Sequence, residues 1–184
     1  MGYVTTRDAT AFGNDLCPRS FILLAVLGIC ARSPANTDDI CEVIDDLVGE
    51  TWTPPRDIIS NGTQDLLALE ALRISKLKKR CLETTPKGME IMSLILALPV
   101  ARPSCALGQI GYRLKLAFLD FEAPSERRFQ IESSIQAYEC EIAECERRGR
   151  NCSAKGIFGR QWSEHEVDRL RRDVDVLKAL ASRF

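Results

Sequence analysis

The chain has 184 residues, of which 45% are hydrophobic and 28% charged, and its formal net charge is −1. This is the composition of a globular protein with enough apolar side chains to fill one core or two small ones. The low net charge excludes a global electrostatic attraction to nucleic acid or to an anionic membrane. Any such binding must depend on a local patch of charge.

The eight cysteines are scattered along the chain and include no C-x-x-C pair. Several lie within apolar helical patterns, where a thiol behaves as a small hydrophobic group, so reduced cysteines in a cytoplasmic protein are the simplest interpretation. We expect no metal and no cofactor, because the one grouping that could bind zinc matches no common ligand spacing. That grouping is Cys140, Cys145, Cys152 and His165.

The first half begins without periodicity, and residues 1–19 are predicted to be a flexible segment. The apolar run at residues 21–30 is too short to span a membrane, which needs about 20 residues. It is predicted to belong to a central buried helix that runs from about Pro18 to Ala31, with Ser20 as its capping residue. No association with a membrane is expected.

A second helix is predicted at residues 37–48, capped by Asn36 or Thr37. Six acidic residues and no basic one lie between residues 38 and 50. This helix is therefore a poor element for contacting phosphates. Residues 52–55, which include two prolines, are predicted to be an extended linker.

The third predicted helix opens at residues 60–63, with Asn61 as its cap and Gln64 completing a capping box. Leucines at helical spacing are predicted to face the core: Leu66, Leu67, Leu69 and Leu72. The predicted outer face comprises Thr63, Gln64, Asp65, Ala68 and Ala71.

A basic hairpin is predicted next, with strands at residues 73–75 and 80–84 and a helix that Thr85 caps. Ile74 is predicted to supply one of its apolar side chains. Its five cations are Arg73, Lys76, Lys78, Lys79 and Arg80. Each could neutralise a DNA phosphate, although lysines also protect ordinary exposed sheet edges. Helix, strand, strand, helix is the order of a winged helix, in which this hairpin is the wing.

The second half is predicted to be all helical, so the fold class is mainly α, with an α+β winged helix at the N-terminal end. A break at residues 99–103 predicts a DNA-binding domain at 20–98 and a helical dimerisation domain at 104–184. Apolar residues at partly heptad spacing need partner helices, and a two-fold homodimer is the commonest solution. The predicted dimerisation residues are Leu114, Phe118, Phe121, Ile131, Ile135, Tyr138, Ile142, Leu170, Val174 and Leu177.

Two stretches of the sequence are similar to the PadR family of bacterial transcriptional regulators, especially to members with a long helical C-terminal domain. The first ends in Thr85-Pro86-Lys87-Gly88, where Thr85 and Gly88 match the family's pattern after the wing. The second, residues 114–142, contains the Pro124-Ser125 break between helices. The resemblance implies a homodimeric, sequence-specific DNA-binding regulator, expected to be a repressor. It also implies a small apolar or aromatic effector, near Trp162 or Trp52.

Two functional classes are open. In the first, Thr63 and Gln64 read base edges in the major groove while the wing cations bind phosphates. In the second, the acidic second helix binds a protein partner and DNA binding is weak or lost. Residues 20–98 contain eight Lys and Arg against eleven Asp and Glu, a net charge of −3, which favours this alternative. An enzyme is not expected, because the single histidine, His165, belongs to no catalytic motif.

Overall fold

The structure is a computed structural model that describes residues 16–100, 102–151 and 156–183. At residues 150 and 151 only the backbone is described. The helices are α1 Pro18–Arg32, α2 Thr37–Val48, α3 Arg56–Ala68, α4 Pro86–Ala97, α5 Ala106–Phe118, α6 Pro124–Asn151 and α7 Ile157–Ala181. The strands are β1 Leu72–Ile74 and β2 Leu82–Thr84, and a short 3₁₀ turn covers Leu119–Phe121.

The order of three helices, a hairpin and a fourth helix is the winged-helix topology, so the predicted fold class is confirmed. The two strands are antiparallel, and Arg73 is paired with Glu83 in their register. An isolated bridge between Ala35 and Leu82 ties the second strand to the turn between α1 and α2. The wing is therefore anchored to the helices at its base.

The described chain divides into two compact units. The first unit comprises the described residues up to 100 together with Gln109–Leu119, and the second comprises Arg102–Gly108 and the described residues from Asp120 onward. The assignment of DNA binding to one part of the chain and dimerisation to the other stays a prediction. Residues 1–15 of the predicted flexible segment lie outside the described residues, whereas Leu16 is buried and Pro18 begins α1.

Helix α1 lies at the centre of the first unit, as its uniformly apolar sequence predicts, and Ser20 to Cys30 are all buried. Ser20 is not its cap, because the helix begins earlier and Cys17 occupies the N-cap without a side-chain hydrogen bond. Gly28 permits close packing, since a Cβ there would collide with the ring of Phe118. The end of α5 therefore belongs to the core of the first unit.

Two predicted helix caps are confirmed. The Asn36 side chain accepts hydrogen bonds from the backbone N–H groups of Asp38 and Asp39. The Asp39 carboxylate in turn accepts a hydrogen bond from the backbone N–H of Asn36, which completes a capping box. The hydroxyl of Thr85 accepts a hydrogen bond from the N–H of Gly88 at 3.1 Å. Both caps satisfy backbone donors that a helix N-terminus leaves without an intrahelical partner.

Helix α3 begins at Arg56, about a turn before the predicted start, so Asn61 lies inside the helix and is not its cap. The residue that precedes the helix is Pro55, which offers no side-chain hydrogen bond. Gly62 serves packing, because a Cβ there would lie 2.6 Å from Ile22 Cγ2 of α1. The earlier start also changes which α3 side chains face the solvent.

Two buried polar side chains have different surroundings. In the first unit, burial lowers the pKa of Lys115 to about 8, and its Nζ donates a hydrogen bond to the carbonyl of Leu98 at 2.9 Å. In the second unit, burial raises the pKa of Glu141, but hydrogen bonds from Arg102 and Ser104 outweigh it and hold the pKa below its usual value. Burial therefore determines the direction of the pKa shift of Lys115, whereas hydrogen bonding determines that of Glu141.

The second unit is dominated by the long helices α6 and α7, which run antiparallel. Ion pairs join Arg171 to Glu146 at 2.6 Å and Lys178 to Glu139 at 2.9 Å, so residue numbers rise along one helix as they fall along the other. From the sequence alone, a basic loop is predicted at residues 149–159 and the last helix is predicted to start near Ser163. Helix α7 begins six residues earlier, at Ile157.

The seven described cysteines carry no disulfide. Within residues 16–100, 102–151 and 156–183, no cluster of His, Cys, Asp or Glu could hold a metal ion. Cys152, one of the four residues of the zinc alternative, lies outside the described residues. No described helix is both long enough and apolar enough to cross a bilayer.

Candidate nucleic-acid interface

Helix α3 presents two amide side chains to solvent. Asn61 and Gln64 are both exposed and three residues apart, so they lie on one face of the helix, with Asp57 and Ala68 continuing that face. Asn and Gln are the side chains that form paired hydrogen bonds with the edge of adenine in the major groove. Asn61 was not among the predicted base-contacting residues, because Asn-Gly in front of a helix is typical of a cap.

Thr63, the second predicted base-contacting residue, is buried with 5% of its surface exposed. Its hydroxyl donates a hydrogen bond to the carbonyl of Ile59 at 2.8 Å. The predicted outer face is also wrong for Ala71, which is fully buried, and the predicted inner face is wrong for Leu67 and Leu69, which are 37% and 43% exposed. Of the predicted base-contacting pair, only Gln64 is accessible.

Two of the five predicted wing cations are already paired with carboxylates. Arg73 Nε donates to Glu83 Oε1 at 2.7 Å across the hairpin, and Lys78 Nζ lies 3.4 Å from Asp39 Oδ2 of α2. Hydrogen bonds from Ser75 and then Arg73 lower the pKa of Glu83. The pKa of Asp39 is lowered first by the backbone N–H of Asn36 and then by Lys78. Both carboxylates are therefore held in the charged form that competes with phosphate for these cations.

The other three wing cations, Lys76, Lys79 and Arg80, are exposed and make no ion pair in the described part of the chain. They surround the apex of the hairpin, where Arg80 adopts a left-handed backbone conformation with φ of 61°. Ile74 was predicted to supply an inward apolar side chain, but it is 70% exposed. The tip thus combines unpaired positive charge with exposed apolar surface.

The predicted dimerisation residues are mostly buried within the single chain. Leu114 and Phe118 belong to the core of the first unit. Ile131, Tyr138, Leu170, Val174 and Leu177 are buried in the second unit, and Phe121, Ile135 and Ile142 are partly buried. The heptad spacing on α6 and α7 is therefore explained by their packing against each other. That these residues form a dimer interface stays a prediction.

Large apolar side chains are exposed elsewhere on the second unit. The clearest group lies at the start of α7, where Phe158 is 82% and Trp162 66% exposed. They are four residues apart and share a helix face. The sequence signal was present, but the late predicted start of α7 placed Phe158 in a loop.

Both tryptophans line cavities within their own units. Trp52 borders a groove of about 320 Å³ between α1 and α3, with apolar walls that include Ile22 and Pro55. Trp162 borders a cavity of about 310 Å³ whose lining includes Arg102 and Arg148. The first cavity is suited to an apolar group, whereas the second is also lined by Glu166, and its two arginines are already paired with Glu141.

Several solved bacterial structures are similar to the chain over most of its length. Bacillus subtilis PadR is 13% identical, with a TM-score of 0.41, and the match covers 91% of this chain and 97% of that one. B. subtilis PadR in complex with operator DNA is 14% identical, with a TM-score of 0.39 and coverages of 88% and 98%. A PadR-like transcriptional regulator from Bacillus cereus is 16% identical, with a TM-score of 0.39 and coverages of 86% and 98%. No family model and no curated protein matches the chain.

Proposed function

We propose that the protein is a sequence-specific DNA-binding transcriptional regulator. The observation that carries the proposal is the cluster of Lys76, Lys79 and Arg80, which are exposed and make no ion pair in the described chain, at the tip of a winged-helix hairpin. Unpaired cations on a protruding hairpin are placed to neutralise phosphates and release counterions. The amides of Asn61 and Gln64 on α3 then supply the hydrogen bonds that distinguish bases.

Helix α3 and the wing would contribute differently to DNA binding, because their charges differ. The exposed residues of α3 include one cation, Arg56, and it is paired with Asp38. Helix α3 therefore has little attraction to phosphates, and the wing supplies most of the affinity that does not depend on sequence.

The regulator would act as a homodimer, since Phe158 and Trp162 leave apolar surface exposed on the second unit. The groove beside Trp52 is a candidate site for an apolar effector.

The test compares two triple variants in the full-length protein, with duplex DNA selected from a random-sequence library at low salt. Lys76, Lys79 and Arg80 are replaced by alanine in one. In the matched control the exposed cations Arg160, Arg172 and Arg183 of the second unit, which also make no ion pair in the described chain, are replaced instead. Both variants lose three positive charges.

We expect the wing variant to weaken binding to all sequences and to lower the log–log salt slope by about 0.9 for each phosphate that the variant no longer neutralises. The control variant should keep the slope of the wild type. If the control loses binding and the wing variant does not, the contact surface lies on the second unit. If the wild type recovers no duplex at low salt, the regulator proposal is wrong.

The second candidate function is a protein-interaction module, favoured by the acidic surface of α2. Asp38 and Asp39 are paired with Arg56 and Lys78, but Glu42 and Asp46 are exposed and make no ion pair in the described chain. Such a surface fits a basic partner. Absence of DNA binding by the wild type, together with retention of a basic protein in an α2-dependent manner, would favour this function.

A further inference from the structure

The tip of the wing is a fixed turn, held between two buried residues. Ser75 is 7% and Cys81 2% exposed, and the N–H of Ser75 donates to the carbonyl of Cys81 at 2.7 Å. The N–H of Cys81 donates to the carbonyl of Lys78 at 3.2 Å. The N–H of Leu77 donates to the Ser75 hydroxyl at 3.1 Å. These bonds hold the apex of the hairpin in one shape, with Leu77 at its end.

Leu77 is 89% exposed, more than any other large apolar side chain in the described chain. Burying a leucine side chain stabilises a protein, and this conformation does not gain that stabilisation. Cations lie on both sides of it in the sequence, at Lys76 and at Lys78 to Arg80. An apolar side chain surrounded by positive charge matches a partner with an anionic surface and an apolar interior.

We propose that Leu77 is a wedge that enters the DNA minor groove and partly unstacks one base step. The proposal rests on the DNA-binding function above. Unstacking a base step costs free energy, and burial of Leu77 together with the phosphate contacts of the tip cations offsets that cost. The cost is lowest at flexible pyrimidine–purine steps. The wing would therefore favour TA or CA/TG steps without forming a hydrogen bond to any base.

An anionic membrane surface would also attract the tip, but the apolar area is too small. Even a whole myristoyl chain gives only marginal membrane binding. Leu77 and the neighbouring Ile74 offer fewer carbon atoms than one such chain. The first unit also carries Asn61 and Gln64, and their amides can form paired hydrogen bonds with the edges of bases, which lipids do not offer.

The wedge is tested with the selected duplex labelled at both ends for energy transfer and carrying 2-aminopurine at successive positions. The full-length wild type is compared with Leu77→Ala and with Val176→Ala, a control on α7 where the valine is 59% exposed. Because Leu77 is exposed, its variant should melt at the wild-type temperature. Both variants should keep the wild-type salt slope.

We expect the wild type to raise the transfer efficiency of the bound duplex and the 2-aminopurine fluorescence at one step. Leu77→Ala should lose both changes, and Val176→Ala should lose neither. If Leu77→Ala bends and unstacks the duplex as the wild type does, the wedge is wrong while DNA binding stands. If the wild type binds no duplex, the proposed function fails and the wedge with it. Leu77-dependent binding to phosphatidylglycerol vesicles without bending of DNA would also overturn the wedge and assign the tip to a membrane.

Discussion

The two units differ in how they treat their charged side chains. In the second unit most described cations have an acidic neighbour, and Arg171 has two, Glu146 and Asp168. In the first unit three cations within the five-residue tip of the wing make no ion pair in the described chain, and Lys115 is buried beneath the surface. Surface ion pairs contribute little to stability, whereas clustered unpaired cations repel one another at some cost. The unit whose charges are least satisfied internally is the one suited to an external anion.

The largest effect expected within the first unit concerns Lys115. Its folded-state pKa is about 8 against an ordinary value of 10.5, so between these values the unfolded chain binds more protons. The free energy of unfolding should therefore rise with pH across this window, by up to about 3 kcal/mol, and stay at its lower level below pH 8. Urea titrations at pH 7 to 10.5 measure it.

Lys115→Met supplies the reference for that measurement, because every other ionisable group is common to the two proteins. The difference in pH dependence between wild type and variant isolates the lysine. Identical pH dependence in the two proteins would show that burial does not lower the pKa of Lys115.

The next effect separates base reading from phosphate binding. Asn61→Ala and Gln64→Ala should each reduce discrimination between the selected duplex and a mismatched one by about 1–3 kcal/mol, if each amide forms a paired hydrogen bond with a base. The log–log salt slope of binding by each variant should equal that of the wild type. Glu90→Ala, on the exposed surface of α4, is the control. A lower slope with unchanged discrimination would assign these amides to phosphates.

A smaller effect is expected from releasing Lys78. Asp39→Asn keeps an oxygen for the capping box but removes the charge that holds Lys78. Lys78 then becomes available to DNA, and the log–log salt slope should rise by about 0.9 if it takes up one phosphate. The double variant Asp39→Asn, Lys78→Ala should not show the gain. A gain that persists in the double variant would reflect lost repulsion by Asp39 alone.

The smallest effect belongs to the second unit. Lys178 and Glu139 are 56% and 52% exposed, so a double-mutant cycle on their ion pair should give a coupling of about 0.2–1 kcal/mol that fades at high salt. Thermal melts of the two single variants and the double variant measure it. A coupling of several kcal/mol would remove the contrast between the units.

The sequence predicts those parts of the fold whose signals are local. The caps at Asn36 and Thr85 depend on residues within three positions, and both are confirmed. The start of α3 carries no such signal, because Pro55 precedes it without a capping side chain. Asn61-Gly62 looked like the start of a helix capped by Asn61, but Gly62 is required by the approach of α1, a contact between residues distant in the sequence.

The candidate site was predictable in charge but not in exposure. The basic character of residues 73–80 is evident in the sequence, whereas the pairing of Lys78 with Asp39 depends on tertiary structure. Strand periodicity could not orient Ile74, because a three-residue strand is too short for alternation to identify the buried face. Similarly, a heptad seam requires a partner helix without specifying whether it belongs to the same chain.

The close approach of Phe118 to Gly28 has a consequence for how the protein can be divided. The first unit is discontinuous in sequence, since Gln109–Leu119 completes a core that begins with α1. A fragment cut at residue 98 would lack Leu114 and Phe118, both nearly fully buried, and would expose the apolar surface that they cover. The first unit is therefore not portable by a single cut at the predicted domain boundary. A fusion protein that borrows it should retain the chain through residue 119.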